Sequence, residues 1–379
     1  MKTQIVLFLS ILLISSSSFA RKSPSTLLFA GSYTNDVPDK GITVFNFDTK
    51  NGALTKLSKV ESITNPSYLT ISPNGKYLYV CNDTKMPRPG TITAFAIDRV
   101  NGTLTFINKQ SSGGENPVYL AVDKSNRYVV TGNYSSGSVT LLSIGKNGSL
   151  NLNLETIQFK DSSINRSRQE KSHIHSTYFD PECNYIFAPD LGGDKIRVFS
   201  FNPNKAPHLV SNEKLTVKTT PGSGPRHFAF HPNKRFGYNI EELTGTITAY
   251  AYKQGRLDSI QRLFCYSKKR DSYGAADIHI SPDGKFLYTS NRFIGENTIA
   301  IFAINTISGK LSLVGHQSTE GDHPRNFTID PSGNFLLVAN MLTNNIVIFK
   351  RDSKTGLLTK VGEEKTVSKP SCLQMRSYR

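Results

Sequence analysis

The chain contains no tryptophan, and that absence excludes the Trp-Asp signature of WD-repeat proteins. Only four cysteines occur in 379 residues: Cys81, Cys183, Cys265 and Cys372. None stands in a Cys-x-x-Cys pair or at a zinc-binding Cys/His spacing, so structural zinc and dithiol redox chemistry drop out. There is no Gly-x-Ser-x-Gly elbow and no His-Glu-x-x-His pair, which removes the serine α/β-hydrolases and the zincins. The glycines of "GSGPRH" are followed by no helical pattern, so they do not form a dinucleotide loop. No segment anywhere carries a convincing 3.6-residue apolar period.

Acidic residues are scarce beside basic ones, leaving a net charge of +16. The excess is spread along the chain, and its longest run is only Lys268 to Arg270. This argues for a solvated basic exterior, suited to association with anionic surfaces, rather than for a nucleic-acid site. Long apolar runs are lacking too. The longest, Ile5 to Ile14, follows Lys2 and precedes Ser18-Phe19-Ala20, the layout of a cleavable secretory signal and too short for a transmembrane segment. Residues 1–20 are therefore expected to be removed near Ala20, and 21–379 to form one domain, secreted or periplasmic. Six Asn-x-Ser/Thr sequons, at Asn82, Asn101, Asn133, Asn147, Asn165 and Asn326, would matter only in a glycosylating host, and several fall on expected strand ends.

What the sequence does have is a repeat. Six segments align without gaps: "SPNGKYLYV", "DKSNRYVVT", "DPECNYIFA", "HPNKRFGYN", "SPDGKFLYT" and "DPSGNFLLV". Their aligned aromatics, Tyr77, Tyr128, Tyr185, Phe236, Phe286 and Phe335, lie 51, 57, 51, 50 and 49 residues apart. Such a period is one supersecondary unit per repeat. Each unit reads as four short strands with Asn-Gly hairpin turns, as in "YLTISP", "YLYVCN", "GTITAFAID" and "TLTFINK". Three strands precede the first full repeat, and one orphan, "PSCLQMRSY", follows the last. The fold class is thus all-β: a seven-bladed propeller of four-stranded antiparallel blades. Its ring would be closed by the C-terminal strand inside the N-terminal blade, which removes the free edges. A kelch propeller fits poorly, since one Gly-Gly alone, Gly192-Gly193, falls in a kelch-like place.

The repeat is its own control for function. The residue expected just before each innermost strand runs Ser67, Val118, His175, Arg226, Ala276, Arg325, Ser371. Proline precedes it in five of the seven cases, fixing the entry of the chain. The residue after the second strand runs Asn82, Asn133, Asp190, Glu241, Asn291, Asn340 and reads as a loop cap. One position further the series is Asp83, Tyr134, Leu191, Glu242, Arg292, Met341. These registers share one end of the channel. They bring His175, Arg226, Glu242, Arg292 and Arg325 to one opening, with His227, Asp190 and His173 near. A carboxylate and an imidazole among guanidiniums make an acid/base pair inside an anion clamp.

The strings "RQEKSHIHS" (Arg168 to Ser176) and "GSGPRHFAFHP" (from Gly222), with "DLGGDKI", "EEL", "SNR" and "HPRNFTIDPSG", resemble the seven-bladed lactonase family. That family includes bacterial 6-phosphogluconolactonase and fungal carboxy-cis,cis-muconate cyclase. The resemblance spans essentially all of residues 21–379. It implies a lactone hydrolase acting on an acidic sugar lactone, without metal or other cofactor, although His173, His175 and Asp190 could in principle gather around an ion. In the cyclase branch a histidine, two arginines and a glutamate are implicated in catalysis, and by motif these fall on His175, Arg226, Glu242 and Arg292; Arg325, His227, Asp190 and His173 are left to bind a small anionic lactone or carboxylate. Two departures stand out: the leader on a chain whose relatives work in the cytosol, and Glu241 where asparagine is common, which leaves open whether Glu241 or Glu242 faces the channel. A muconate-type cycloisomerase and a non-catalytic secreted binding propeller are the alternative readings.

Overall fold

The computed structural model describes residues 25–34, 41–83, 87–293 and 295–378. The secretory signal expected at residues 1–20 therefore lies outside the described residues. Every regular element within them is a β-strand, and the strands fall into seven antiparallel sheets.

Blade two shows the plan, with strands Pro66–Ile71, Tyr77–Asn82, Thr91–Asp98 and Thr103–Ser111 from the axis outward. The second strand is packed on both faces, hence the unbroken apolar runs "YLYV" and "FLLVA". The outermost strand alternates exposed and partly buried residues because one face meets water. Blades four and seven count five strands only because their outer strand is interrupted, at Leu209–Ser211 and Val217–Lys218 and at Leu358–Lys360 and Lys365–Thr366. Closure is as expected: Pro370–Tyr378 pairs with Ser25–Ser32 as the inner strand of blade one.

The aligned aromatics have a mechanical role. Tyr77, Tyr185, Phe236, Phe286 and Phe335 each lie against a hairpin-turn glycine of a neighbouring blade: Gly148, Gly255, Gly309, Gly356 and Gly52. All five glycines have positive φ, and a Cβ there would meet ring carbon at under 3.0 Å. Repeat spacing and blade contact are thus one constraint. The four cysteines are free thiols. Of the sequons, Asn82, Asn133 and Asn326 are buried in the ring, unsuited to carry a glycan.

Candidate active site

Both registers need correcting. Asn82, Asn133, Asp190, Glu241, Asn291 and Asn340 do not follow the second strands but are their last residues, still paired across the sheet. Ser67, Arg226 and their equivalents do not precede the innermost strands; the strands begin at the proline, and these residues are second. The pairing slips by one residue just there, between Pro66 and Tyr68, Pro117 and Tyr119, Pro225 and His227, and Pro324 and Asn326. Ser371 sits at the same slip in blade one, and Ala276 with Asp277 in blade six. Each residue of this first register is the extra residue of a β-bulge, which breaks the pleat and re-aims its side chain. In blade four the inner strand shrinks to Tyr178–Phe179 plus a single Ile174–Asp190 bridge, and His175 lies between them.

The second register divides in two. Asn82, Asn133, Asn291 and Asn340 donate their side-chain amides to backbone carbonyls of the segment entering the blade, which is capping. In blades four and five the cap is a carboxylate and recruits a cation instead. Asp190 takes Arg197 (2.7 Å) and the amides of His173 and Gly193. Glu241 takes Arg262 (2.8 Å), Thr246 and Thr248. The choice between the two glutamates is thereby decided: Glu241 ties strands together, and Glu242 faces the channel. Asp190, expected at the substrate, is wholly buried among its own partners. His173 also departs from the expectation. It stacks on Tyr134 at 4.3 Å, and its ring nitrogens meet the Tyr134 carbonyl and Glu170. These two residues support the wall and do not line the cleft.

The cleft itself is about 300 Å³ and is bordered by His175, Glu242, Arg168, Arg292, Arg325 and His323, with Tyr33, Asp83, Tyr134 and Phe293 on its sides. Glu242 is the hub. Its Oε1 accepts from Arg168 Nη2 (2.7 Å), and its Oε2 from Arg226 Nε (2.8 Å) beside Arg292 Nη2 (3.2 Å). Burial works to raise its pKa, but the guanidiniums of Arg292, Arg226 and Arg168 hold the carboxyl far below the usual range. A carboxylate so held is a poor base.

His175 is the opposite case. No hydrogen bond engages its ring among the described residues, and its buried Nδ1 has no partner. Burial, then Arg226, His227, Arg325 and Arg292, push its pKa well below the ordinary histidine value, so the imidazole is neutral. Arg226 is itself almost fully buried, and burial with the nearby Arg292 lowers it to about 9 without discharging it at neutral pH. Arg292 is fixed through Nε to the Gly274 carbonyl (2.8 Å), and its Nη1 lies 3.3 Å from His323. Arg325 lies over the Tyr33 ring. Beneath the cleft the channel narrows to a cell of about 10 Å³ beside His175, Arg226, His227 and Arg325, roughly one water in size.

Sequence comparison by register missed three residues. Arg168 belongs to no aligned position and comes from the connection between blades three and four, within the string "RQEKSHIHS". His323 stands at a repeated position, just before the proline, where Asn65, Asn116, Gly224 and Lys369 stand in other blades. Asp277 was hidden beside Ala276. The chemical sum is three guanidiniums around Glu242 and a fourth, Arg325, near Asp83, next to an uncharged imidazole with a free lone pair.

Comparison with known proteins gives the family. Residues 27–375 match the family described as "Lactonase, 7-bladed beta-propeller". A 6-phosphogluconolactonase of Formosa agariphila is 47% identical over 93% of this chain and 99% of its own length. One from Bacillus subtilis is 35% identical, with 91% and 97% covered. Among solved structures, a periplasmic gluconolactonase of Pseudomonas aeruginosa superposes with a TM-score of 0.86 at 33% identity, covering 94% and 99%.

Proposed function

The chain belongs to the seven-bladed β-propeller lactonase family, and on that premise we propose that it hydrolyses an acidic sugar lactone with His175 as the base. One observation carries the reading: among the described residues, His175 is the only imidazole lining the cleft whose ring makes no hydrogen bond, and it stands among the guanidiniums of Arg226, Arg292 and Arg325. His175 takes a proton from water as the water oxygen bonds to the lactone carbonyl carbon. Arg226 and Arg292 meet the charge that develops on the carbonyl oxygen. Collapse breaks the acyl–oxygen bond, and the ring oxygen leaves with the proton that His175 returns. Glu242 is not the base here; it holds Arg168, Arg226 and Arg292 in one cluster. Arg325 and Arg168, nearer the rim, receive the acidic group of the substrate.

An anion entering this cleft also tunes the base. It offsets the guanidiniums that depress His175, raising the imidazole pKa toward the range in which it accepts a proton readily. The leader at residues 1–20 and the likeness to a periplasmic gluconolactonase support an exported enzyme, working on a lactone met outside the cytoplasm. Among the described residues no helix is long and apolar enough to cross a membrane.

The test is titration of acid release from gluconolactone and 6-phosphogluconolactone by purified residues 21–379, beside the Arg226→Ala variant. Hydrolysis by wild type that falls sharply in the variant is expected. No hydrolysis of either lactone, with tight binding of the acids retained, would hand the site to the binding-protein reading; turnover of a muconate lactone alone would make it a cycloisomerase.

A further inference from the structure

Below the bulge register the chain carries a second ring of residues, and in four adjacent blades it is polar: Ser176, His227, Asp277 and Asn326. Asp277 is buried, yet it gathers five donors. Its Oδ1 accepts from His227 Nδ1 (2.8 Å) and the Ile278 amide (3.0 Å). Its Oδ2 accepts from His279 Nε2 (3.0 Å), the Phe327 amide (3.2 Å) and Asn326 Nδ2. A carboxylate so surrounded is ionised and holds its neighbours in place.

The consequence runs upward into the cleft. A guanidinium can only donate, so Arg226 Nη1, 3.3 Å from His227 Nε2, requires a lone pair on that nitrogen. A neutral imidazole has one there only if its proton sits on Nδ1, the nitrogen facing Asp277. Burial, then the nearby Arg226, lower the His227 pKa to about 4, so the ring is neutral. Arg226 is then gripped at three points: Nε by Glu242, and Nη1 by both His227 and the Ala276 carbonyl. Blade six offers no charged side chain at the position matching Arg226. It offers instead the carbonyl of Ala276 and, one residue on, the carboxylate that sets the tautomer.

We propose that Asp277 is a positioning residue for the reaction. It keeps His227 as the Nδ1–H tautomer, and His227 Nε2 in turn aims Arg226 at the reacting carbonyl. The inference rests on the lactonase reading for the role of Arg226, but not for the tautomer. Asp277→Asn shows what is at stake. The new amide must turn a donor toward one side of the old carboxylate. Facing Oδ2 it would oppose the Phe327 amide and two side chains, His279 and Asn326; facing Oδ1 it would oppose the Ile278 amide and one side chain, His227, whose ring can answer by moving its proton to Nε2. That proton would then point at Arg226, donor against donor, and displace it. Misplacing a catalytic group by about 1 Å costs on the order of 10²-fold in rate.

The experiment has two arms. Nitrogen-15 NMR of histidine-labelled protein, which needs no substrate, reads the His227 tautomer: Nδ1–H is expected in wild type and Nε2–H in Asp277→Asn. A wild-type Nε2–H ring, or an unchanged tautomer in the variant, overturns the proposal. Steady-state kinetics on the lactone that wild type hydrolyses form the second arm. A fall in kcat of about 10²-fold with KM nearly unchanged is expected, the mark of a contact made in the transition state. A folded Asp277→Asn enzyme with wild-type kcat overturns it. Where that variant does not fold, a second pair decides. His227→Gln can donate to Asp277 and accept from Arg226, whereas His227→Leu can do neither. Gln keeping most of kcat while Leu loses it supports the proposal, and equal kcat in the two rejects it. Absence of any lactone hydrolysis by wild type would sink the lactonase reading while leaving the tautomer result to stand or fall by itself.

Discussion

The same β-bulge recurs around the channel mouth, but its side chains do different things on the two sides. In blades one and two the bulge residues are Ser371 and Ser67, and their hydroxyls donate to the carbonyls of Pro66 and Pro117 in the next blade. In blade three the residue is Val118. Across the mouth, the His175 ring bonds no protein group among the described residues, Arg226 joins a cluster around Glu242, and Arg325 lies against Tyr33. The backbone device is common to both sides, so it is scaffold. What differs is whether the side chain satisfies itself within the ring or is left over for a ligand.

The comparison can be broken first at its common part. Deleting Cys372 to Arg379 removes most of the strand that closes blade one, including Ser371's neighbours, and exposes an unpaired edge. Both sides should fail together, with an aggregating product on size-exclusion chromatography. A monomeric truncation with unchanged Tm would show that closure does not hold the mouth together.

The next test acts on one side only. His175→Asn should lower kcat/KM by roughly 10²- to 10⁴-fold, the usual worth of a general base. Its Tm should change little, because no protein hydrogen bond is lost. Arg226→Ala should cost about 30- to 1,000-fold, equivalent to about 2–4 kcal/mol. Being buried, Arg226 should also affect stability, unlike an exposed arginine such as Arg256. If His175→Asn keeps full activity, the charged side of the mouth is not catalytic.

Then comes pH. In the free enzyme, burial and the surrounding arginines hold His175 neutral well below its ordinary pKa. The acid limb of kcat/KM, which reports free enzyme, should therefore lie at low pH. Anion binding raises the imidazole pKa, so the acid limb of kcat should lie at higher pH than that of kcat/KM. Coincident limbs in the two profiles would refute the coupling between substrate charge and base.

The smallest effect belongs to the opposite side. Ser67→Ala removes the hydroxyl bonded to the Pro117 carbonyl and should cost about 1 kcal/mol of stability while leaving kcat and KM near wild type. A large loss of activity there would erase the distinction between the two sides.

Much of this was legible in the residues themselves, and for a physical reason. Propeller blades obey a period-two strand pattern and a fifty-residue repeat, both local in sequence, and the orphan strand after the last repeat could only belong with the three before the first. The repeat also turned charge at matched positions into a signal, so His175, Arg226, Glu242, Arg292 and Arg325 could be named without coordinates. Three-dimensional pairing alone decided the rest. That the register sits on a bulge depends on which residue faces which across two strands. That Glu241 binds Arg262 while Glu242 binds three arginines depends on where the chain turns, and so does the burial of Asp190 with Arg197. Arg168 obeys no repeat, because a long connection brings it to the mouth. His323 and Asp277 do occupy repeated positions, but their roles come from contacts with Arg292 and His227 of the preceding blades. Protonation was also beyond the sequence: a neutral His175 and a locked Glu242 follow from burial and guanidinium distance, quantities that exist only once the ring has closed.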